Sequence, residues 1–72
     1  GEELTDFDHF AAMHGLTPAE TEMVRSVAAG RSVPEHARLK GISGNTARVH
    51  MQRVLEKTGA RRQTDLLRKL LA

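Results

Sequence analysis

Apolar residues recur along the chain at helical spacing, and glycines and capping residues separate the periodic segments. The clearest signal for the start of a helix is at Thr17, because Pro18 follows it directly and Glu20 stands three residues after it. That order is typical of an N-cap, a proline in the first helical turn and a capping box. The same criteria predict five helices and no strand, and therefore an all-α fold, a small helical bundle with a short extra N-terminal helix. The predicted helices are one that ends at His14 and Gly15, one from Pro18 that stops at Gly30, and three over residues 32–40, 44–58 and 63–71.

The apolar positions of each helix indicate which side it buries. They are Phe7, Phe10 and Ala11 in the first helix; Met23, Val24, Val27 and Ala28 in the second; Val33, Ala37 and Leu39 in the third; and Leu66, Leu67, Leu70 and Leu71 in the last. The first helix also has Thr5 and Asp8 at the spacing of a capping box. Since burying one phenylalanine side chain is worth about 1.5 to 3 kcal/mol, we expect this N-terminal segment to pack back on the domain through Phe7 and Phe10.

A tight turn joins two of the predicted helices within residues 32–57. Ser32 and Glu35 have capping-box spacing, and Ser43 stands where the N-cap of the following helix belongs. Gly41 can adopt a positive φ at the end of the first helix, and the small side chain of Ala37 lets the two helices cross closely. This pattern predicts a helix-turn-helix, a motif that usually directs its second helix into a groove of DNA.

The helix over residues 44–58 has different chemistry on its two faces when each residue is counted as a turn of about 100°. The predicted core face holds Ala47, His50, Met51, Val54, Leu55 and Thr58, and we expect His50 to share a hydrogen bond with a neighbouring backbone group. The predicted exposed face holds Asn45, Arg48, Val49, Gln52 and Glu56. Arginine, asparagine and glutamine can each form two hydrogen bonds with a base edge, and valine can contact the thymine methyl group. We therefore predict that the first four of these exposed residues contact bases, because they lie in the half of the helix that enters the major groove.

Phosphate contacts are predicted at the N-terminus of that helix and beside it. Ser43 and Thr46 offer hydroxyl groups where exposed backbone amides favour an anion, and Arg53 and Arg31 add positive charge. Residues 1–22 carry six acids and no lysine or arginine, whereas residues 23–72 carry 11 basic residues and three acids, a balance of +8. So dense a basic segment is expected of a protein that binds a polyanion, although charge alone would also fit an ordinary solvated surface. The helix-turn-helix pattern favours the first interpretation.

Composition and spacing argue against several other classes of protein. Without cysteine there is no disulfide or thiolate site, and the four histidines, His9, His14, His36 and His50, lack metal-ligand spacing, so we expect neither metal nor cofactor. No apolar run approaches the length of a membrane span and no signal-peptide pattern is present, which predicts a soluble, cytoplasmic protein. The chain offers no nucleophile with a base nearby and no glycine-rich phosphate loop, so an enzyme is not expected. The aromatic residues lie outside the basic half, which argues against recognition of RNA by stacking.

Several motifs between residues 16 and 71 occur in a fixed order. They are LTPxE at 16–20, the Ala28 and Gly30 step, Gly-Ile-Ser at 41–43, NTxxxH at 45–50 and LEKTGARRQ at 55–63. The set resembles the C-terminal DNA-binding domain of LuxR-type transcriptional regulators, the family that includes FixJ- and NarL-like response regulators. The resemblance implies a four-helix domain over residues 16–72, preceded by an acidic segment over 1–15, with base contacts at Arg48, Val49 and Gln52. The residues Ala47, His36 and Thr21 stand where that family usually has valine, an aliphatic residue and leucine, which predicts a looser core.

Together these observations predict the effector domain of a bacterial transcriptional regulator that binds specific sequences in double-stranded DNA. The resemblance also implies dimerisation through the last helix, so we expect a weak homodimer through Leu66, Leu67, Leu70 and Leu71, and a contact with RNA polymerase. The start at Gly1 suggests a fragment of a longer protein. One alternative is a promoter-binding module like region 4 of a sigma factor, against which the leucine-rich helix after Gly59 argues. The other is a protein-interaction module whose arginine-rich face binds an acidic partner and not DNA.

Overall fold

Five helices account for most of the chain in the computed structural model, which describes residues 7–71. They are α1 (Phe7–His14), α2 (Pro18–Ala28), α3 (Val33–Lys40), α4 (Gly44–Thr58) and α5 (Gln63–Leu71). The described residues contain no strand, so the all-α prediction is confirmed. The predicted capping residue Thr5 lies outside the described residues.

Local hydrogen bonds explain where the helices begin and end. At the start of α2, the backbone N–H of Glu20 donates to Thr17 Oγ1 at 3.2 Å, and the Thr17 N–H donates to Glu20 Oε1 at 2.9 Å. Ser32 and Glu35 form the same reciprocal pair at the start of α3. Helix α3 ends at Gly41, whose φ of 67° lies in the left-handed region that glycine adopts without strain. The turn between α3 and α4 is therefore encoded by residues within it.

The core forms where α2, α3 and α4 pack together, with α1 and α5 against them. Its buried apolar residues are Phe10, Met23, Val24, Val27, Ala37, Ala47, Met51, Val54, Ala60 and Leu66. Ala37 of α3 and Ala47 of α4 are both buried, as the close crossing of these helices requires.

Helix α1 packs on the domain through its two phenylalanines, as the sequence predicted. Phe10 is buried, and Phe7 packs against the core from its edge. The Arg25 guanidinium of α2 lies 5.0 Å from the centre of the Phe7 ring and 3.3 Å from the Asp8 carboxylate. These contacts hold α1 against α2.

Leu39, Ala28 and Leu71 were predicted on the buried sides of their helices and are exposed, and the hydrogen bond predicted for His50 is not formed within the described residues. Leu39 is 57% exposed, because it lies two residues after buried Ala37 and a step of about 200° carries it to the opposite side of α3. Ala28 is exposed at the last turn of α2. His50 is only half-buried, and its buried Nδ1 atom has no hydrogen-bond partner within the described residues, contrary to the bond expected with the backbone.

Polar side chains fill part of the interior. The Thr21 hydroxyl donates to the Thr17 carbonyl at 2.9 Å, and Ser26 Oγ lies 2.5 Å from His36 Nδ1. Thr21, Ser26 and His36 are all buried. Hydrogen bonds therefore compensate for polar groups at two of the positions where the sequence predicted a looser core.

Candidate nucleic-acid interface

The exposed face of α4 holds the four residues for which base contacts were predicted. Asn45, Arg48, Val49 and Gln52 are all exposed, at relative positions i, i+3, i+4 and i+7 of the helix. Residues three and four apart are neighbours on a helix surface, so these side chains form one continuous strip. We call this strip the α4 face. None of its four side chains is buried in the core of the domain.

The opposite side of α4 is fixed in the core. Its buried residues are Ala47, Met51, Val54 and Thr58, while His50 and Leu55 are half-buried at the edges. The Thr58 hydroxyl donates to the Val54 carbonyl at 2.8 Å, and Gly59 ends the helix with a φ of 77°. Burial on one side therefore determines which side of the helix faces solvent.

An ion pair between helices holds the C-terminal end of α4. Lys57 Nζ lies 2.8 Å from Glu20 Oε1 and donates to the Gly15 carbonyl at 3.2 Å. Burial disfavours ionisation of Glu20, but the Lys57 hydrogen bond, the Thr17 backbone N–H and the lysine charge outweigh it and lower the pKa of this carboxyl. A buried, ionised carboxylate thus joins α2, the turn before it and α4.

A second ion pair joins α2 to the end of α3. Lys40 Nζ lies 2.8 Å from Glu22 Oε1, and this hydrogen bond lowers the pKa of the Glu22 carboxyl. Arg25 Nε lies 3.7 Å from the other carboxylate oxygen of Glu22. Glu20 and Glu22 of α2 therefore attach α4 and α3, the two helices of the helix-turn-helix, to α2.

Four arginines, on α4, on α3 and in the turn before α3, form no such ion pair within the described residues. No acidic side chain within residues 7–71 forms an ion pair with Arg48, Arg53, Arg31 or Arg38. All four are exposed. Arg53 borders the α4 face directly after Gln52, whereas Arg31 lies on a different element, the turn between α2 and α3. Their positive charge remains available to a polyanion.

The N-terminus of α4 presents a specific arrangement of hydroxyl groups. Ser43 Oγ accepts from the Thr46 backbone N–H at 3.0 Å and donates to Thr46 Oγ1 at 2.9 Å. The two hydroxyl groups therefore lie side by side at the exposed start of α4. The Ala47 N–H donates to the Ser43 carbonyl, so Gly44 and Asn45 carry the two remaining amides of the first turn. Anions bind readily at such helix ends.

The leucines of α5 do not share one environment. Leu66 is fully buried in the core of its own domain, Leu67 and Leu70 are half-buried, and Leu71 is 82% exposed. Leu66 is therefore not accessible to a second chain while the domain is folded, and the predicted dimerisation set reduces to the other three.

Sequence reasoning missed the long-range polar contacts. Nothing in the local pattern around Glu20 indicated a partner 37 residues away, because its capping-box role already explained it.

Two absences were also found among residues 7–71. No three metal-binding side chains are grouped as a metal site requires, and no helix has the length and apolar character needed to cross a membrane.

Comparison with known proteins adds one match. The GerE family model, described as bacterial regulatory proteins of the luxR family, matches residues 14–70. No curated protein and no solved structure matches the chain. The matched residues contain the helix-turn-helix and the α4 face, and they begin at the last residue of α1.

Proposed function

The chain belongs to the luxR family of bacterial regulatory proteins, and we propose that it binds specific sequences of double-stranded DNA with α4 in the major groove. Residues 16–72 form the DNA-binding domain in this proposal, and residues 1–15 precede it. The protein acts in the cytoplasm as the effector part of a transcriptional regulator.

The observation that carries the proposal is the α4 face. Asn45, Arg48 and Gln52 are side chains that can distinguish base pairs by hydrogen bonding in the major groove, and Val49 can contact a thymine methyl group. All of them project from the first nine residues of the 15-residue helix α4, whose other side is buried. A recognition helix needs this combination of exposed readout groups and a fixed orientation.

Contacts with the DNA backbone are assigned to groups around the α4 face. Thr46 donates its hydroxyl proton to a phosphate oxygen, while Ser43 orients that hydroxyl through the hydrogen bond between them. Arg53 and Arg31, which form no ion pair within residues 7–71, supply charge-assisted bonds to phosphate. Such contacts set the register of the protein on the duplex and carry no sequence information themselves.

Two copies bind together through α5. Leu67, Leu70 and Leu71 form an apolar edge that the core does not fully cover, and a two-fold pair would place two α4 helices about one turn of DNA apart. Sedimentation of the parent and Leu71→Glu on a duplex with two half-sites tests this proposal. We expect two parent copies per duplex and weaker pairing of the variant; one parent copy at saturation would contradict the dimer.

A salt titration tests DNA binding itself. Sites are first selected from a random duplex pool, and the dissociation constant is then measured for the selected and a scrambled duplex at several salt concentrations. A plot of the logarithm of the association constant against the logarithm of the salt concentration has a negative slope. Each phosphate that the protein neutralises makes this slope steeper by about 0.9. We expect a steep slope on both duplexes and tighter binding to the selected one.

Three outcomes separate the alternatives. A flat response to salt, or no binding to duplex DNA, contradicts the proposal and favours a protein-interaction module. Equal affinity for the selected and scrambled duplexes would show charge-driven binding without base readout. A preference confined to promoter elements recognised with RNA polymerase would instead favour a module like sigma region 4.

A further inference from the structure

A histidine lies at the junction of the three helices that position the α4 face. His36 of α3 is 1% exposed, and its Nδ1 atom lies 2.5 Å from the hydroxyl oxygen of Ser26 on α2. The next residue, Ala37, is buried where α3 packs on α4. Any change in charge at His36 therefore acts inside the contact that holds the helix-turn-helix together.

The surroundings of His36 favour its neutral form. His36, Lys40 and Glu22 line a cleft of about 250 Å³ together with His50 of α4. Arg31, in the turn before α3, adds another positive charge, and the Glu22 carboxylate, which would favour the protonated form, is already bonded to Lys40. Burial, reinforced by the charge of Lys40, lowers the pKa of His36 below its ordinary value.

Protonation would not break the bond between His36 and Ser26. A neutral Nδ1 accepts the serine proton, and a protonated Nδ1 donates to the serine oxygen, so either state forms one hydrogen bond. The cost of protonation lies in placing an imidazolium at an almost wholly buried position beside the charge of Lys40. Moving α3 outward relieves this cost, and that movement also disturbs α4.

We propose that His36 makes DNA binding sensitive to acid, because protonation of its imidazole loosens α3 and α4 from α2 and disrupts the α4 face. The proposal rests on the proposed DNA binding and adds its regulation by pH. The protein binds DNA fully above the ordinary titration range of histidine and loses affinity as the pH falls through it.

The direction of the pH effect follows from the linkage between protonation of His36 and opening of the domain. In an opened state His36 titrates near 6.5, whereas in the closed state its pKa is lower. Between these two values the opened state binds more protons, so acid favours opening. One proton changes the opening equilibrium by up to about tenfold per pH unit in this range.

The test compares the parent with His36→Leu and with a control, His9→Gln, which alters an exposed histidine on α1. The dissociation constant for a selected duplex is measured at about pH 7.5 and about pH 5.5, either side of the ordinary histidine pKa, at one ionic strength. We expect affinity to fall by up to about tenfold per pH unit in the parent and in His9→Gln. His36→Leu should lose much less.

Two measurements without DNA make the test independent of the proposed function. The imidazole resonances of the parent give the pKa of His36 directly, and amide hydrogen exchange reports opening of α3 and α4. A His36 pKa at or above the ordinary value, or protection factors in α3 that do not fall with acid after the slowing of intrinsic exchange is divided out, overturns the proposal even if His36→Leu fails to fold. An equal loss of affinity in the parent and His36→Leu overturns it too. A parent that never binds duplex DNA contradicts the proposed function instead.

Discussion

The two ends of α4 differ in whether their basic residues form ion pairs. In the C-terminal half, Lys57 is held by the buried Glu20 carboxylate and by the Gly15 carbonyl. In the N-terminal half, Arg48 forms no ion pair within residues 7–71 and faces solvent. The ion pair of Lys57 attaches the C-terminal end of the helix to α2, whereas Arg48 is left exposed near the N-terminal end.

The residue types match these two roles. Lys57 and Lys40, which attach α4 and α3 to α2, each form one short bond with a single carboxylate oxygen. An ammonium group suits such a point contact, whereas the planar guanidinium of Arg48 or Arg53 can bind a base edge or a phosphate with two hydrogen bonds. Positive charge therefore stabilises the packing of α3 and α4 on α2 at Lys40 and Lys57, and it remains exposed at Arg48 and Arg53.

The largest effect is expected when the attached half loses its ion pair. Lys57→Met leaves the Glu20 carboxylate buried without its counter-ion, and the free energy of unfolding should fall by about 3 kcal/mol, the low end for a broken buried pair because Lys57 is partly exposed. Urea unfolding measures this change. Lys69→Met, at an exposed position on α5, serves as the control and should leave stability nearly unchanged. Equal stability of the two variants would show that the pair does not anchor α4.

The exposed half should respond in the opposite way. Arg48→Ala and Gln52→Ala should each weaken binding to a selected duplex by about 1 to 3 kcal/mol and relax the preference at one base pair, because each removes a base contact. Fluorescence anisotropy with single-base variants of the duplex measures both effects. The free energy of unfolding should not change, and Arg62→Ala, in the turn before α5, should retain the sequence preference. If both alanine variants discriminate bases as the parent does, the α4 face is not the readout surface.

Helix limits and the exposed face of α4 were predictable because their causes are local. Capping boxes at Thr17 and Ser32 and a left-handed glycine at Gly41 act within a few residues of the helix ends they determine. The α4 face follows from helical geometry once Ala47 and Val54 are assigned to the core. These signals can be recognised without knowledge of the rest of the fold.

Contacts between distant elements could not be predicted in the same way. The partners Lys57 and Glu20 are 37 residues apart, and each has an adequate local explanation without the other. Leu39 shows a related limit, since hydrophobicity alone does not determine the face of an eight-residue helix that buries only His36 and Ala37. Tertiary packing determines both the Lys57–Glu20 pair and the buried face of α3. The residues next to these positions in the sequence do not indicate how the helices pack.

Acid should weaken the attached half through Glu20. Its pKa is lower in the folded protein than the ordinary value of 4.5, so the stability it contributes is complete above pH 4.5 and is lost as the pH falls further. The loss is at most about 1.4 kcal/mol per pH unit for one proton. Unfolding of the parent and Glu20→Gln, followed between about pH 6 and pH 3, measures it as a difference. Parallel curves below pH 4.5 would contradict the lowered pKa.

The smallest effect concerns the position along α4 at which contact with DNA ends. Glu56 lies on the same side of α4 as Gln52, one turn further along, and it forms no ion pair within residues 7–71. Its negative charge opposes the approach of phosphates, so Glu56→Gln should strengthen DNA binding by about 0.2 to 1 kcal/mol, the range for exposed charges. The gain should decrease as salt screens the interaction. Asp8→Asn removes an equal charge from α1 and controls for net charge. A gain of the same size in both variants would mean that Glu56 does not mark the end of the DNA contact along α4.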